Sequence, residues 1–199
     1  MEVVAATNNQ HKLEEIRAIL KDVGYEVLSL DQVGIKIDIE ENGRTFRENA
    51  LIKARAIWKL TGRPSIADDS GLEVFALKGE PGVYSARYAG VEGDKKDTAN
   101  NKKLLENMKN IPQNERQARF VSSIALVLSD EEEIVTEGYI NGTIGFEEKG
   151  RNGFGYDPLF IISELDKTMA ELTSTEKNKI SHRANALEEL KKILIQKKA

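Results

Sequence analysis

The stretch Glu2-Val3-Val4-Ala5-Ala6-Thr7-Asn8-Asn9-Gln10-His11-Lys12-Leu13 decides the fold class. Glu2 to Thr7 is an apolar run of strand length, and Asn8-Asn9-Gln10 is a polar turn that breaks it. From Lys12 onward, Leu13, Ile16, Ile19, Leu20 and Val23 recur at helical spacing until Gly24 stops the pattern. Strand, turn and helix make a βα unit, and Tyr25 to Leu30 supplies a second strand, so the chain starts as an α/β protein.

Beyond this unit, Thr45-Phe46-Arg47-Glu48 has the form of a capping box, with the Thr hydroxyl facing the Glu48 amide and the Glu48 carboxylate returning to the cap. The helix it opens, with Phe46, Ala50, Ala54, Ile57 and Trp58 as its apolar face, is expected to run to about Leu60, before Gly62 and Pro64. Ser65-Ile66-Ala67 reads as a strand ending in Asp68-Asp69-Ser70-Gly71, and Leu72 to Leu77 as another apolar segment. Asp97 or Thr98 is expected to cap a helix to about Met108. Arg116 to Ser129 reads as a long strand turned by Asp130 to Glu132 into a partner strand from Glu133 to Ile144. A glycine-rich loop over Gly150 to Gly155 precedes Pro158-Leu159-Phe160-Ile161-Ile162. The end is helical, with Thr173 and Glu176 as a second capping box and Ala184, Leu187, Leu190 and Leu194 as an apolar stripe. There is no internal repeat, low-complexity tract or linker, so one mixed α/β domain over residues 1–199 is expected.

Composition narrows the chemistry. The 199 residues contain no Cys, which removes disulfide frameworks, thiolate zinc sites and Cys nucleophiles together. The two histidines, His11 and His182, are too far apart in sequence for a helical zinc motif, so a metal here is a hard cation on carboxylates. Net charge is −4 and no Lys/Arg block dominates, which argues against a nucleic-acid binder and leaves room for a phosphate-bearing small molecule. Apolar runs such as Ile124 to Leu128 fall far short of the ~18 residues needed to cross a bilayer, so no membrane role is expected. The first residues lack the basic and apolar regions of a signal peptide, which gives a cytoplasmic expectation.

Several constellations could carry chemistry, and each has a plainer alternative. Thr7 to Lys12 sits where helix N-terminal amides receive phosphate oxygens, or is an ordinary N-cap. Lys12 lies in a first turn whose dipole disfavours a cation, which hints at an external anion. Asp68 and Asp69 end a strand, where carboxylates can hold Mg²⁺ or deprotonate water, or else form a turn cap; while the strand continues they point to opposite faces. Glu40 and Glu41 form a second acidic pair, a metal site or a solvated loop. Lys53 lies near the apolar face of its helix, aimed inward or snorkelling. Gly153-Phe154-Gly155-Tyr156-Asp157-Pro158 offers an aromatic face between two glycines, a stacking platform or a tight turn on a core Phe. Lys177, Ser181, His182 and Arg183 gather at the C-terminal helical segment, as ligand donors or surface groups.

Taken together these segments closely resemble the Ham1-like inosine/xanthosine triphosphate pyrophosphatase family, over nearly the whole chain. The matching motifs are Ala-Thr-Asn-Asn-Gln-His-Lys at 6 to 12, Phe46-Arg47-Glu48-Asn49-Ala50 with Lys53-Ala54, Ser65 to Leu72, Pro81 to Arg87, Gly153 to Pro158 and Ser181-His182-Arg183.

The resemblance implies an elongated α/β fold with a long mixed sheet, a cleft between two lobes, and usually a homodimer. It implies Mg²⁺-dependent hydrolysis of non-canonical purine nucleoside triphosphates (ITP, dITP, XTP) to the monophosphate and pyrophosphate. Thr7, Asn8, Asn9, Gln10, His11 and Lys12 would hold the triphosphate, and Asp69 would be metal ligand and general base. An acidic residue before the capping box would share the metal; Glu40 is the choice and Glu41 the alternative. Lys53 would offset phosphate charge, and Ser70, Phe154, Gly155, Tyr156, Asp157, Lys177, His182 and Arg183 match nucleotide-contacting positions. Arg183 is also the candidate donor to the 6-oxo edge of hypoxanthine or xanthine. Two rivals are a Maf-type pyrophosphatase of pyrimidine or modified nucleotides and a non-catalytic nucleotide-binding protein of the same shape.

Overall fold

A computed structural model describes residues 1–198. In chain order it contains β1 (Glu2–Ala5), α1 (Gln10–Lys21), β2 (Glu26–Leu28), α2 (Phe46–Thr61), β3 (Ser65–Val74), α3 (Lys96–Met108), β4 (Gln117–Val127), β5 (Glu133–Ile144), β6 (Phe160–Ile162), β7 (Lys167–Thr168), α4 (Ser174–Ile180) and α5 (His182–Lys198). Among the described residues the strands form a seven-stranded sheet in the order β2-β1-β3-β4-β5-β6-β7. β1 pairs in parallel with β2 and β3, while β5–β6 and β6–β7 pair antiparallel, which is the mixed α/β sheet expected from the sequence.

The main departure lies in β3. Asp68-Asp69-Ser70-Gly71 does not end a strand; β3 runs straight through it for ten residues to Val74 and absorbs the separate apolar segment expected from Leu72. The polar letters suggest a turn, but each carboxylate is met by side chains on its own face of the sheet. The Leu72 N–H is taken by Ser85 Oγ at 2.9 Å. A second departure is at α2. Thr45 Oγ1 accepts from the Glu48 N–H as expected, but the Glu48 carboxylate accepts from the Arg44 N–H, one residue before the cap. The box of Thr173 and Glu176 forms as expected. β1 stops at Ala5 and Asn9, not Lys12, opens α1, with Asn9 Oδ1 accepting from the Lys12 N–H at 3.2 Å.

The chain divides into two compact units. The first comprises Met1–Asp69, Ser122–Gly138 and the chain from His182 onward. Alternation along its strands sorts two apolar layers. Val3, Ala5, Ile66, Ile124 and Leu126 share one core with Leu13, Ile16, Leu187 and Leu190 of α1 and α5. Val4, Ala67, Ala125 and Val127, one residue out of phase, pack with Ala50, Ala54 and Ile57 of α2. Burial of each large aliphatic contributes roughly 1.5–3 kcal/mol.

β5 also packs against the start of α5. Thr136 Oγ1 donates to the Ala186 carbonyl, and a Cβ on Gly138 would lie 2.2 Å from the His182 carbonyl oxygen and 2.3 Å from the Ala186 nitrogen. Both obstacles are backbone, so neither yields by rotating a side chain. Gly138→Ala is expected to lower unfolding free energy by about 1–3 kcal/mol or more, as overpacking does. A denaturant midpoint within error of the parent would contradict that close approach.

The second unit comprises Ser70–Val121 and Tyr139–Ser181. Leu72, Leu104, Met108, Leu159 and Met169 surround Phe120 and Phe160, whose ring centroids are 4.5 Å apart. Beside them Arg116, 1% exposed, donates to the carbonyls of Met108, Ile111, Ile144 and Gly145. Its guanidinium thus closes the end of α3 onto β5 through backbone acceptors.

Candidate active site

Because successive strand residues face opposite ways, Asp68 follows Ile66 toward α1 and α5, and Asp69 follows Ala67 toward α2. The two carboxylates therefore acquire different neighbours. Asp68 Oδ2 lies 2.6 Å from Lys12 Nζ and 3.2 Å from Arg183 Nε, and Oδ1 accepts from Ser122 Oγ at 2.6 Å. Arg183 Nη1 donates to Glu15 Oε2 at 2.9 Å. Burial opposes ionisation of Asp68, yet Arg183 and Lys12 hold its carboxyl well below the usual carboxylate range. Burial lowers the Lys12 ammonium despite Asp68. Lys12 thus has one anion inside the protein, Asp68.

Asp69 is 7% exposed. Its Oδ1 accepts from Lys53 Nζ at 3.1 Å, and Lys53 also donates to Glu41 Oε1 at 2.8 Å. Its Oδ2 is buried and has no hydrogen-bond partner among the described residues. Burial raises the Asp69 pKa, the Lys53 charge opposes the rise, and the Glu41 charge adds to it. Lys53 is buried, and Asp69 and Glu41 outweigh that burial to hold its ammonium above the usual value. A desolvated carboxylate with one oxygen unspent is poised to take a cation or a proton.

The remaining expected residues of this unit fall as follows. Thr7 and Asn9 are half-buried in the turn before α1, where Thr7 Oγ1 accepts from the Asn9 N–H at 3.1 Å. Asn8, Gln10 and His11 are exposed at the α1 N-terminus. Glu40 is exposed, whereas half-buried Glu41 is the acidic residue brought to Lys53 and Asp69. His182 is 7% exposed at the start of α5, and Arg183 is 1% exposed, committed to carboxylates.

The second unit holds its own cluster. Asp157 Oδ2 accepts from the Phe154 N–H at 2.9 Å and from Lys177 Nζ at 2.5 Å, while Lys177 Nζ sits 4.6 Å from the centroid of the Phe154 ring. The Gly155 N–H donates to Asp97 Oδ2 and its carbonyl accepts from Asn101 Nδ2. Tyr156 Oη donates to the Ser85 carbonyl, and burial raises its pKa. Gly153 has φ +77° and a Cβ there would fall 2.0 Å from Asp157 Oδ2, so this glycine serves the loop's own carboxylate. Ser70, half-buried on β3, also belongs to this unit. Lys177 is accordingly grouped with Phe154 and Asp157, while Arg183, close to it in sequence, joins Asp68.

Sequence reading missed Glu15, Ser122, Asp97 and Asn101. Glu15 had a signal: it stands three residues after Lys12, on the same side of α1.

The sequence matches the Ham1 family over residues 3–193. The chain belongs to the Ham1 family. It is similar to the dITP/XTP pyrophosphatase of Bacillus subtilis (strain 168), at 51% identity over 97% of this chain and 96% of the relative. Among solved structures it is similar to the Ham1 protein of Staphylococcus aureus, with TM-score 0.88 and 45% identity over 99% of this chain and 100% of that one. A Ham1 protein from Coxiella burnetii superposes with TM-score 0.90 and 42% identity, over 98% of this chain and 99% of that one. Within the Ham1 fold, then, β3 is the element that sets the two carboxylates apart.

Proposed function

We propose that this protein hydrolyses non-canonical purine nucleoside triphosphates, ITP, dITP and XTP, to the monophosphate and pyrophosphate in a Mg²⁺-dependent reaction. The observation that carries this reading is the buried Asp69 carboxylate with an unpartnered oxygen, set beside Lys53 and Glu41. The naming of relatives near 50% identity as dITP/XTP pyrophosphatases supports the substrate class.

The donor set fits a hard divalent cation. Among the described residues no three His, Cys, Asp or Glu gather at one point. Glu41 and Asp69 would therefore hold Mg²⁺ with water and substrate phosphate completing its shell, the usual pattern for that ion. A bound Mg²⁺ neutralises phosphate charge. Asp69 accepts the proton of the water that attacks the α-phosphorus, and pyrophosphate leaves. Lys12 and Lys53 offset negative charge on the triphosphate, since phosphoryl chemistry depends mainly on positioning and electrostatics. Phe154 offers its ring to the purine, with Lys177 and Asp157 fixing the loop. Arg183 steadies Lys12 through Asp68. We also propose a cytoplasmic homodimer. No helix among the described residues is long and apolar enough to cross a membrane.

The test is one assay of ITP, XTP, GTP and ATP with Mg²⁺, following pyrophosphate. Preference for ITP and XTP with pyrophosphate as product supports the reading. IDP with orthophosphate would refute the site of attack, and preference for pyrimidine or modified nucleotides would favour the Maf-type alternative.

A further inference from the structure

Asn49 belongs to the Phe46-to-Ala50 motif, yet the chemistry above gives it no task. It is fully buried on α2, one turn before Lys53. Its Oδ1 accepts from the Gly43 N–H at 2.8 Å, which fixes the orientation of the amide and leaves Nδ2 buried without a partner among the described residues. Two residues before Gly43 stands Glu41, gripped by Lys53. The acidic loop is thus held on α2 at two points: Gly43 by Asn49, and Glu41 by Lys53. The spacings agree, because two residues of extended chain span about 6.6 Å and four residues of helix rise about 6 Å. The loop therefore runs antiparallel along the helix, in a register that presents Glu41 and turns its exposed neighbour Glu40 away. Gly43 has no space for a side chain: a Cβ would lie 2.6 Å from Asn49 Oδ1 and 2.8 Å from Glu48 Cβ.

We propose that Asn49 is a positioning residue, whose side-chain amide clamps the backbone at Gly43 and so sets Glu41 beside Asp69 for the divalent cation. This rests on the reading of Glu41 and Asp69 as metal ligands. An amide suits the task because it takes the Gly43 N–H without adding a third negative charge next to two carboxylates.

The experiment compares Asn49→Ala, Gly43→Ala, Glu41→Gln and the Asn49→Ala/Glu41→Gln pair in the full chain. Three quantities are read: the Mg²⁺ concentration for half-maximal pyrophosphate release, Mn²⁺ binding from loss of the free-ion EPR signal, and hydrogen exchange of segment 38–44. Asn49→Ala is expected to raise the Mg²⁺ requirement about tenfold or more, to weaken Mn²⁺ binding in parallel and to speed exchange at Gly43. In the Glu41→Gln background it adds little, because residues acting through one another are not additive. Gly43→Ala reproduces the same pattern and replaces Asn49→Ala should that variant not fold. An additive effect in the Glu41→Gln background, or an unchanged metal requirement with only lowered thermal stability, overturns the clamp. If Glu41→Gln itself leaves the Mg²⁺ requirement and Mn²⁺ binding unchanged, the metal-ligand reading fails and the clamp with it. If Glu41→Gln raises the requirement while Asn49→Ala does not, the clamp alone fails.

Discussion

Asp69→Asn is expected to lower kcat by roughly 10²–10⁴-fold, the range lost with a positioned general base, while nucleotide binding survives. The amide oxygen can still accept from Lys53, as Oδ1 does at 3.1 Å. The second position becomes an NH₂ that neither takes a proton nor binds a cation. Stability should hold or rise. Asp69 has its folded pKa raised, chiefly by burial, so its charge costs stability that is lost as pH rises from the unfolded carboxylate value to the raised folded one, and the neutral amide removes that penalty. The same shift sets the pH dependence of the parent enzyme. With the Asp69 anion as the proposed proton acceptor, the acid limb of kcat/KM should lie above the usual carboxylate range and move to lower pH as Mg²⁺ is raised. Retention of more than a tenth of the parent kcat would remove Asp69 from the chemistry.

The same substitution one residue earlier should have the opposite signature. Asp68→Asn leaves the half-buried Lys12 and buried Arg183 charges without the carboxylate between them. Breaking such a buried pair costs about 3–5 kcal/mol. The sign follows from linkage: the folded-state pKa of Asp68 is depressed, so its contribution is present above the unfolded carboxylate value and is lost only as pH falls through the lower folded value. Unfolding in urea should show the variant weakened at neutral pH, with the difference from the parent shrinking in strong acid. A change below about 1 kcal/mol at pH 7 would mean that the cluster around Asp68 is not the electrostatic unit its distances describe.

What the sequence reveals here is local. The opening βα unit, the strand from Glu133 to Ile144 and the box of Thr173 with Glu176 follow from spacing and from residues that meet within a few positions of each other. The course of β3 through Asp68-Asp69 is illegible locally, because the groups that make two adjacent acids tolerable in a strand arrive from α1, α2, β4 and α5. Glu40 and Glu41 are indistinguishable by composition. What separates them is where the loop is fastened to α2, at Gly43 by Asn49 and at Glu41 by Lys53, contacts no local spacing announces. The C-terminal cations likewise read as one group, although Lys177 and Arg183 are engaged with different carboxylates.

Since β3 is buried along both faces at the acid doublet, sliding its register by one residue would swap every side chain to the other face. Deleting Ala67 would slip an acid into the slot between Lys12 and Arg183 and a serine into the slot beside Lys53, so the cations of one face stay matched while Lys53 loses its acid and a carboxylate is forced into the apolar slot of Ala67. Inserting a residue after Ile66 would do the reverse, keeping an acid beside Lys53 and stranding Lys12 and Arg183. The repeated letter is a poor guide to interchangeability: length upstream of the doublet, not its composition, decides which ability such a frame-slipped relative would forfeit.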